Sequence, residues 1–389
     1  MGEWLLLVRD ENLQHIGVIE DDYALEAVER HLGLGAWKVE VAADGPGAEL
    51  LRAGAGILLV DSATGETLVS GPTRPQETQH SVDGYTLAVS GVTDTALLGR
   101  LCWPRPAQDI PDTGATQDDA YYVVAGVAET VMLTLVDVNA GPSARAERQV
   151  PGLVVPASQD RGPVIESKTR FDNLLDTLWG IGAVAGLGVR VVQQGTDLVV
   201  DVYEPVDRSD EVRFGMGLGN LAEYTYSLTP PEVTDIVVGV GGEGQARVFY
   251  RFLRRDPLWP GLVREEFVDR RDVDPSLSPG DDGYVDPEAA ALASADERFA
   301  EAGGKASVTF VPIDTDAVRW GRDYWLGDVV TAETEIGPVT DVIREVRYTR
   351  SAEDGQRIEP AIGEPQDTPA IYKRVAKLRR DVDQLQTRR

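Results

Sequence analysis

The stretch 314–363 most constrains the fold, because short alternating segments follow one another there with turn residues between them. Gly321 and Gly327 bracket Asp323, Tyr324 and Leu326, so a tight aromatic turn feeds directly into a strand over 329–333. Gly337-Pro338 punctuates the next reversal. Over 342–348 apolar and charged residues mostly alternate, the pattern of a half-buried strand. Asp354-Gly355 is a hairpin signal before a last strand at 358–363. This spacing is not catalytic. It closes an antiparallel sheet, and the fold class expected is α+β, mainly β, with small antiparallel barrels.

The rest of the chain is compatible with that class. Segments 4–8 and 15–19 flank the polar turn Asp10-Glu11-Asn12 as a hairpin, and a short helical turn is expected at 48–52. Segments 57–60 and 67–70 then pair, and a strand follows at 85–89. Pro104, Pro106, Pro111 and Gly114 mark a domain boundary. Asp118 can cap a helix from 119 to about 138 with Val124, Val127, Val131 and Leu135 on one face. A second helix is written in Phe171, Leu174, Leu175, Leu178 and Trp179 at the 3.6 period, ahead of a hairpin formed by 189–192 and 198–202. Segments 235–240 and 245–252 flank a glycine turn, and 269–286 reads as a surface loop. Pro287 then opens a helix that Gly303-Gly304 stops.

The 389 residues suit two or three domains. A formal charge of −28 makes direct nucleic-acid recognition a poor expectation, because counterion release needs a basic surface. One cysteine, Cys102 in Leu-Cys-Trp, excludes an internal disulfide framework and a cysteine zinc site, and reads as a small buried residue. No basic segment followed by a long apolar core opens the chain, so no signal peptide is expected, and no apolar run is long enough for a membrane span.

Chemical motifs are missing where chemistry would need them. Gly239-Val240-Gly241-Gly242-Glu243-Gly244 matches the dinucleotide fingerprint, but the segment after it alternates like a strand, and that fingerprint needs a helix there. It reads as a hairpin turn. His15, His31 and His80 form no paired metal motif, no serine sits in a Gly-x-Ser-x-Gly elbow, and Asp281-Asp282-Gly283 lacks the ligand spacing of a calcium loop. No catalytic, cofactor or metal residue is expected, and no cofactor.

Five stretches carry a resemblance. The first is Trp320-Gly321-Arg322-Asp323-Tyr324-Trp325-Leu326-Gly327-Asp328-Val329-Val330. The others, earlier in the chain, are Gly91-Val92-Thr93-Asp94 through Arg100, Ala125-Gly126-Val127-Ala128-Glu129, Gly219-Asn220-Leu221 and Phe267-Val268-Asp269-Arg270-Arg271. In their order along the chain they resemble the minor tail proteins of siphoviruses, which are similar to the baseplate hubs of contractile phage tails. Gly321, Asp323, Tyr324, Leu326, Gly327 and Asp328 are then structural motif residues. Segment 22–32 fits a helix face by spacing, with Ala24, Leu25, Ala27, Val28, His31 and Leu32, whereas the resemblance implies an extended segment; we take it as a strand.

The resemblance implies a hub barrel at 1–108, an α+β domain at 109–205, and a second barrel-like domain at 206–365 with an insertion at about 267–304. A coiled-coil helix at 366–389 would follow. In it Ile371, Val375, Leu378, Val382 and Leu385 recur at steps of four and three, a coiled-coil seam; an amphipathic helix docked on its own domain is the alternative. Valine and leucine in those places favour two strands, but the resemblance implies three. It further implies a structural, non-enzymatic virion protein at the tail tip. Such a homotrimeric hub would meet a distal-tail ring protein, the C-terminus of the tape-measure protein and a downstream fibre or receptor-binding protein, and would close the DNA channel. Receptor-binding and wall-cleaving modules are expected on other proteins. A tail-tip cell-wall hydrolase and the hub of a phage-derived injection device are the alternatives.

Overall fold

The computed structural model describes residues 3–363, apart from 21, 75–76, 82–83, 112, 115, 117–118, 243, 282 and 336. Strands β1 (Trp4–Arg9) and β2 (His15–Val18) form the first hairpin, in whose turn the Asp10 carboxylate accepts from Asn12 N and Gln14 N at 2.9 and 2.8 Å. Next come β3 (Tyr23–Arg30) and β4 (Ala36–Ala42), an antiparallel pair, so segment 22–32 is extended despite its helix-like spacing. Helix α1 (Pro46–Ala53) begins on its proline. Strands β5 (Gly56–Asp61) and β6 (Thr67–Pro72) pair with each other, as do β7 (Glu77–Ser81) and β8 (Gly84–Val92).

The single helix expected over 119–138 is two elements, strand β9 (Tyr122–Val127) and helix α2 (Ala128–Asn139). After β10 (Leu153–Val154), strand β11 (Val164–Thr169) pairs with β9 from Val164↔Val127 to Thr169↔Tyr122. Tyr122, Val123, Val124 and Val127 are β-forming residues, and pairing with this distant strand decides their state. Val131 and Leu135 are buried as expected, while the proposed cap Asp118 lies outside the described residues.

Helix α3 (Leu174–Ala185) starts later than its periodicity suggests, because Asn173 caps it by accepting from Leu175 N and Asp176 N at 2.9 and 3.3 Å. Phe171 stands outside the helix at φ 59°. The helix also runs on through Gly180 and Gly182, and Gly186 ends it in the left-handed conformation. Strands β12 (Gly188–Gln194) and β13 (Asp197–Tyr203) form the expected hairpin, and β14 (Arg213–Phe214) and β15 (Leu221–Thr229) follow.

The chain then builds β16 (Asp235–Val240), β17 (Phe249–Leu253), β18 (Glu265–Arg270) and α4 (Pro287–Ala302). The glycine-rich stretch after β16 is a turn into an antiparallel strand, not a phosphate loop. Asp286 caps α4 by accepting from Glu288 N and Ala289 N at 3.0 and 3.1 Å. Strands β19 (Lys305–Pro312), β20 (Val329–Thr334), β21 (Gly337–Ser351) and β22 (Gly355–Gly363) complete the described chain. Ile371, Val375, Leu378, Val382 and Leu385 lie outside the described residues.

The fold is mainly β, with several largely antiparallel sheets and four α-helices among the described residues. One sheet has the order β2-β1-β5-β6. The largest runs β15-β19-β22-β21-β3-β4-β8-β7, with β20 on β21 and β14 on β20. Smaller sheets are β10-β13-β12, β11-β9 and β17-β16-β18. Among the described residues each hydrogen-bonded order is open, not the closed ring of a barrel. No described helix is long and apolar enough to cross a membrane.

The chain divides into two compact units, one formed by residues up to Thr225 together with those from Val308, the other by Tyr226–Ser307. In the first, Trp4 and Leu6 of β1 and Ile57 and Leu59 of β5 join Leu25, Trp37, Val39 and Val89 in a core that continues to Phe214, Phe310 and Tyr348. A second core of that unit joins α2 and α3 to the hairpin through Met132, Leu135, Leu174, Leu178, Val191 and Val200. It also contains Cys102, fully buried, whose thiol burial pushes up to about 11. The other unit packs Ile236, Val238 and Val240 of β16 against Ala291, Ala295 and Phe299 of α4.

Candidate functional site

The turn between β19 and β20 is assembled from short-range polar contacts around one buried ring. Asp323 accepts from Arg319 N at 2.8 Å and pairs with Arg322 at 2.7 Å, and Arg322 holds its carboxyl below the usual range. Tyr324 is fully buried, edge-on to Phe214 and Trp320 with ring centroids 5.1 and 5.2 Å apart, and burial raises its hydroxyl well above the ordinary value. Leu326 is buried beside it in the same core. Gly321 and Gly327 take φ of 72° and 95°. At Gly327 a Cβ would come within 2.9 Å of His31 Nδ1 and 3.0 Å of Pro205 Cγ, so only glycine fits.

Asp328 joins this turn to the segment after β13. Its carboxylate is buried and accepts from Val206 N at 2.8 Å, Arg208 Nε at 2.8 Å and Trp325 N at 3.1 Å. The Arg208 guanidinium lies 5.1 Å over the Trp325 ring. His31, at the end of β3, meets the Tyr203 hydroxyl at 3.0 Å, and burial followed by the nearby Arg344 depresses its pKa to about 4.

The other motif stretches also place polar side chains that fasten segments far apart in sequence. Asp94 takes a bidentate pair from Arg9 at 2.5 and 2.8 Å and a hydrogen bond from Ser70 Oγ at 2.6 Å. Arg9 Nη1 also donates to Gln193 Oε1 at 2.5 Å, and Gln193 N donates to Ser70 Oγ at 2.9 Å, so β1, β6 and β12 meet at one buried cluster. Gly91 of the same stretch admits no side chain, since a Cβ would lie 2.1 Å from Pro72 O and 2.4 Å from the Trp37 ring. Glu129, buried at the start of α2, accepts from Gln159 N and Arg161 N at 3.0 Å each and from Arg161 Nη2 at 2.7 Å. Asn220 accepts from Gly215 N at 3.0 Å and donates to Arg213 O at 2.7 Å. In the second unit Asp269 pairs with Arg247 and, at 3.3 Å, with Arg271.

These geometries hold elements together. Among the described residues no group of three or more His, Cys, Asp and Glu is placed to hold a metal. Sequence reasoning singled out Asp328 as a motif residue and named Asp94 and Glu129 only as parts of stretches, and it missed their partners Arg208, Arg9 and Arg161. Those arginines lie 120, 85 and 32 positions from the carboxylates they bind, and no local signal marks them.

A cavity of about 380 Å³ opens in the first unit beside the aromatic turn. Trp4, Trp320, Trp325, Tyr203 and Tyr348 contribute rings to its lining, and Glu29 of β3 reaches it from the core. Burial raises the Glu29 carboxyl to about 7, against the opposing pull of Arg190. Arg190 in turn pairs with Asp201 at 2.9 Å; burial opposes its charge, but Asp201 and Glu29 more than offset that.

The family model described as Siphovirus ReqiPepy6 Gp37-like protein matches residues 5–364. The chain belongs to that family. No curated protein matches the sequence. The fold of this family member is shared with the 43 kDa tail protein of prophage MuSo2 from Shewanella oneidensis, at TM-score 0.51 and 10% identity, over 92% of this chain and 98% of that one. It is also shared with the tail protein from Neisseria meningitidis MC58, at TM-score 0.50 and 15% identity, over 93% and 97% of the two chains. Resemblance to siphovirus tail proteins, read first from five short stretches, therefore extends to the family and to the fold of phage tail proteins.

Proposed function

We propose that this siphovirus family member is a structural component of the phage tail, the hub at its distal end. The carrying observation is that similarity in fold to two tail proteins, one of them from a prophage, spans nearly the whole of each chain. The buried clusters support the reading, because Arg9–Asp94, Arg161–Glu129 and Arg208–Asp328 each fasten elements that a load on the tail would pull apart. A non-enzymatic role is part of the same proposal.

In finer terms, the domains at 1–108 and 206–365 act as barrel-like walls and the domain at 109–205 lies between them in the chain. Three copies close a ring, docked on a distal-tail ring protein and held below by the seam of Ile371, Val375, Leu378, Val382 and Leu385. The ring holds the tape-measure C-terminus and passes the opening signal from a fibre or receptor-binding protein. Motif residues Gly321, Asp323, Tyr324, Leu326, Gly327 and Asp328 keep the wall rigid while this happens.

Light scattering of the purified chain across a range of concentrations tests the trimer. A stable mass of three chains that falls in Leu378→Asp, with the melting transition of the domains retained, supports the ring and its seam. A monomer at every concentration, unchanged by adding the distal-tail ring protein, contradicts it.

A further inference from the structure

The cavity beside the aromatic turn carries an inference that does not depend on a tail role. Two of its lining side chains are almost wholly buried yet have a polar atom without a partner. Glu29 is 3% exposed and its Oε1 accepts no hydrogen bond; Trp4 is 2% exposed and its Nε1 donates none. Asp94 and Asp328, buried in the same unit, are by contrast saturated with donors. A buried acceptor without a donor is costly to keep from water, so an orphan at the wall of a cavity points to a donor from outside the chain.

Charge selects the donor's sign. Each of the three arginines that reach the cavity already pairs with a carboxylate: Arg161 with Glu129, Arg190 with Asp201 and Arg208 with Asp328. Asp61, Glu66 and Glu204 add further acid to the lining, with no lysine to balance them. Aromatic rings supply the remaining wall, and indole and phenol faces attract a cation within about 6 Å, more strongly when water is excluded.

We propose that this cavity binds an alkylammonium or alkylguanidinium group, with Glu29 accepting its N–H and the Trp4, Trp320 and Tyr348 rings flanking its alkyl stem. A basic side chain presented by a polypeptide and a free polyamine share this chemistry. The Trp4 N–H favours the former, since a peptide brings a carbonyl acceptor and a polyamine brings none. Binding a cation requires Glu29 ionised, so occupancy is linked to pH through a carboxyl that burial lifts to about 7. The charged groups acting on Glu29 are Arg190 of β12, Asp94 and, on its own strand, Arg30, and it in turn acts on Tyr203 and Tyr348.

The test is a titration of the full chain with N-acetyl-arginine methylamide, N-acetyl-lysine methylamide and putrescine, with N-acetyl-glutamine methylamide as the uncharged control. Tryptophan fluorescence and calorimetry follow binding. The cationic probes bind, the control does not, and affinity falls about tenfold from pH 8 to pH 6 as Glu29 takes up a proton. Glu29→Gln, checked for an intact melting transition, weakens binding by about tenfold or more. Glu204→Gln, at an exposed rim position that leaves the core untouched, weakens it by about two- to fivefold. Tighter binding of the acetylated amino acids than of putrescine assigns the site to a basic side chain; the reverse assigns it to a polyamine. No binding by any cation, or equal binding by Glu29→Gln, overturns the proposal.

Discussion

Two buried carboxylates in the first unit, Asp94 and Glu29, sit in nearly the same degree of exclusion from water and behave as opposites. Asp94 is fully buried and receives three donors from Arg9 and Ser70. Glu29 faces Arg190, but that guanidinium is bonded to Asp201, and Oε1 of Glu29 has no partner. Burial alone therefore does not decide what an acid does in this fold. A saturated carboxylate fastens β1, β6 and β12 into one body, whereas an unsaturated one is held near neutrality and left open to a donor or a proton.

The largest expected effect breaks the saturated site. Asp94→Ala leaves Arg9 charged and buried with no counter-charge, Gln193 being its remaining side-chain partner, and should lower the unfolding free energy by about 3–5 kcal/mol in denaturant titration. The opposite sign is expected at the other carboxylate. Because the folded pKa of Glu29 lies above its unfolded value, its stability contribution is full below about pH 4.5 and is lost as pH rises to about 7. Glu29→Gln should therefore be more stable than the parent at pH 8, by up to about 3 kcal/mol, with the advantage gone at pH 4. A pH-independent difference between the two proteins would remove the contrast on which this account rests.

Smaller effects sharpen the comparison. Asp328→Asn keeps the shape, but its NH2 cannot accept where a carboxylate oxygen did, so at least one of the three hydrogen bonds is lost and the pair with Arg208 loses its charge; the cost should be about 2 kcal/mol at neutral pH, read from the denaturation midpoint. His31→Phe removes only the contact with the Tyr203 hydroxyl and should cost about 1 kcal/mol.

Legibility in the sequence follows the range of the interactions. Strand β20, the hairpin of β12 and β13 and helix α4 were readable because periodicity, turn glycines and caps are local, as Asp286 and Pro287 illustrate. Strand β9 was misread as helix because its state depends on pairing with β11. In β21 the expected alternation is offset by a register shift between Ile343 and Glu345, after which Val346 and Tyr348 are the buried apolar residues; Glu345 is buried as well and is met by Arg30 at 2.8 Å. Glu29 was hidden for a related reason. It follows Ala27 and Val28 in a run of three consecutive buried residues, which no two-residue alternation anticipates. The motif stretches were visible as a set, yet what Asp94, Glu129 and Asp328 do becomes evident only with the distant arginines in place.

The most direct test of the central claim, a structural place in the tail, is a cryo-electron microscopy reconstruction of the tail of the phage that encodes this chain. The account predicts density for three copies at the distal end of the tail tube, with the Arg9–Asp94 and Arg208–Asp328 clusters inside each subunit. Particles with complete tails and no density for this chain would contradict it.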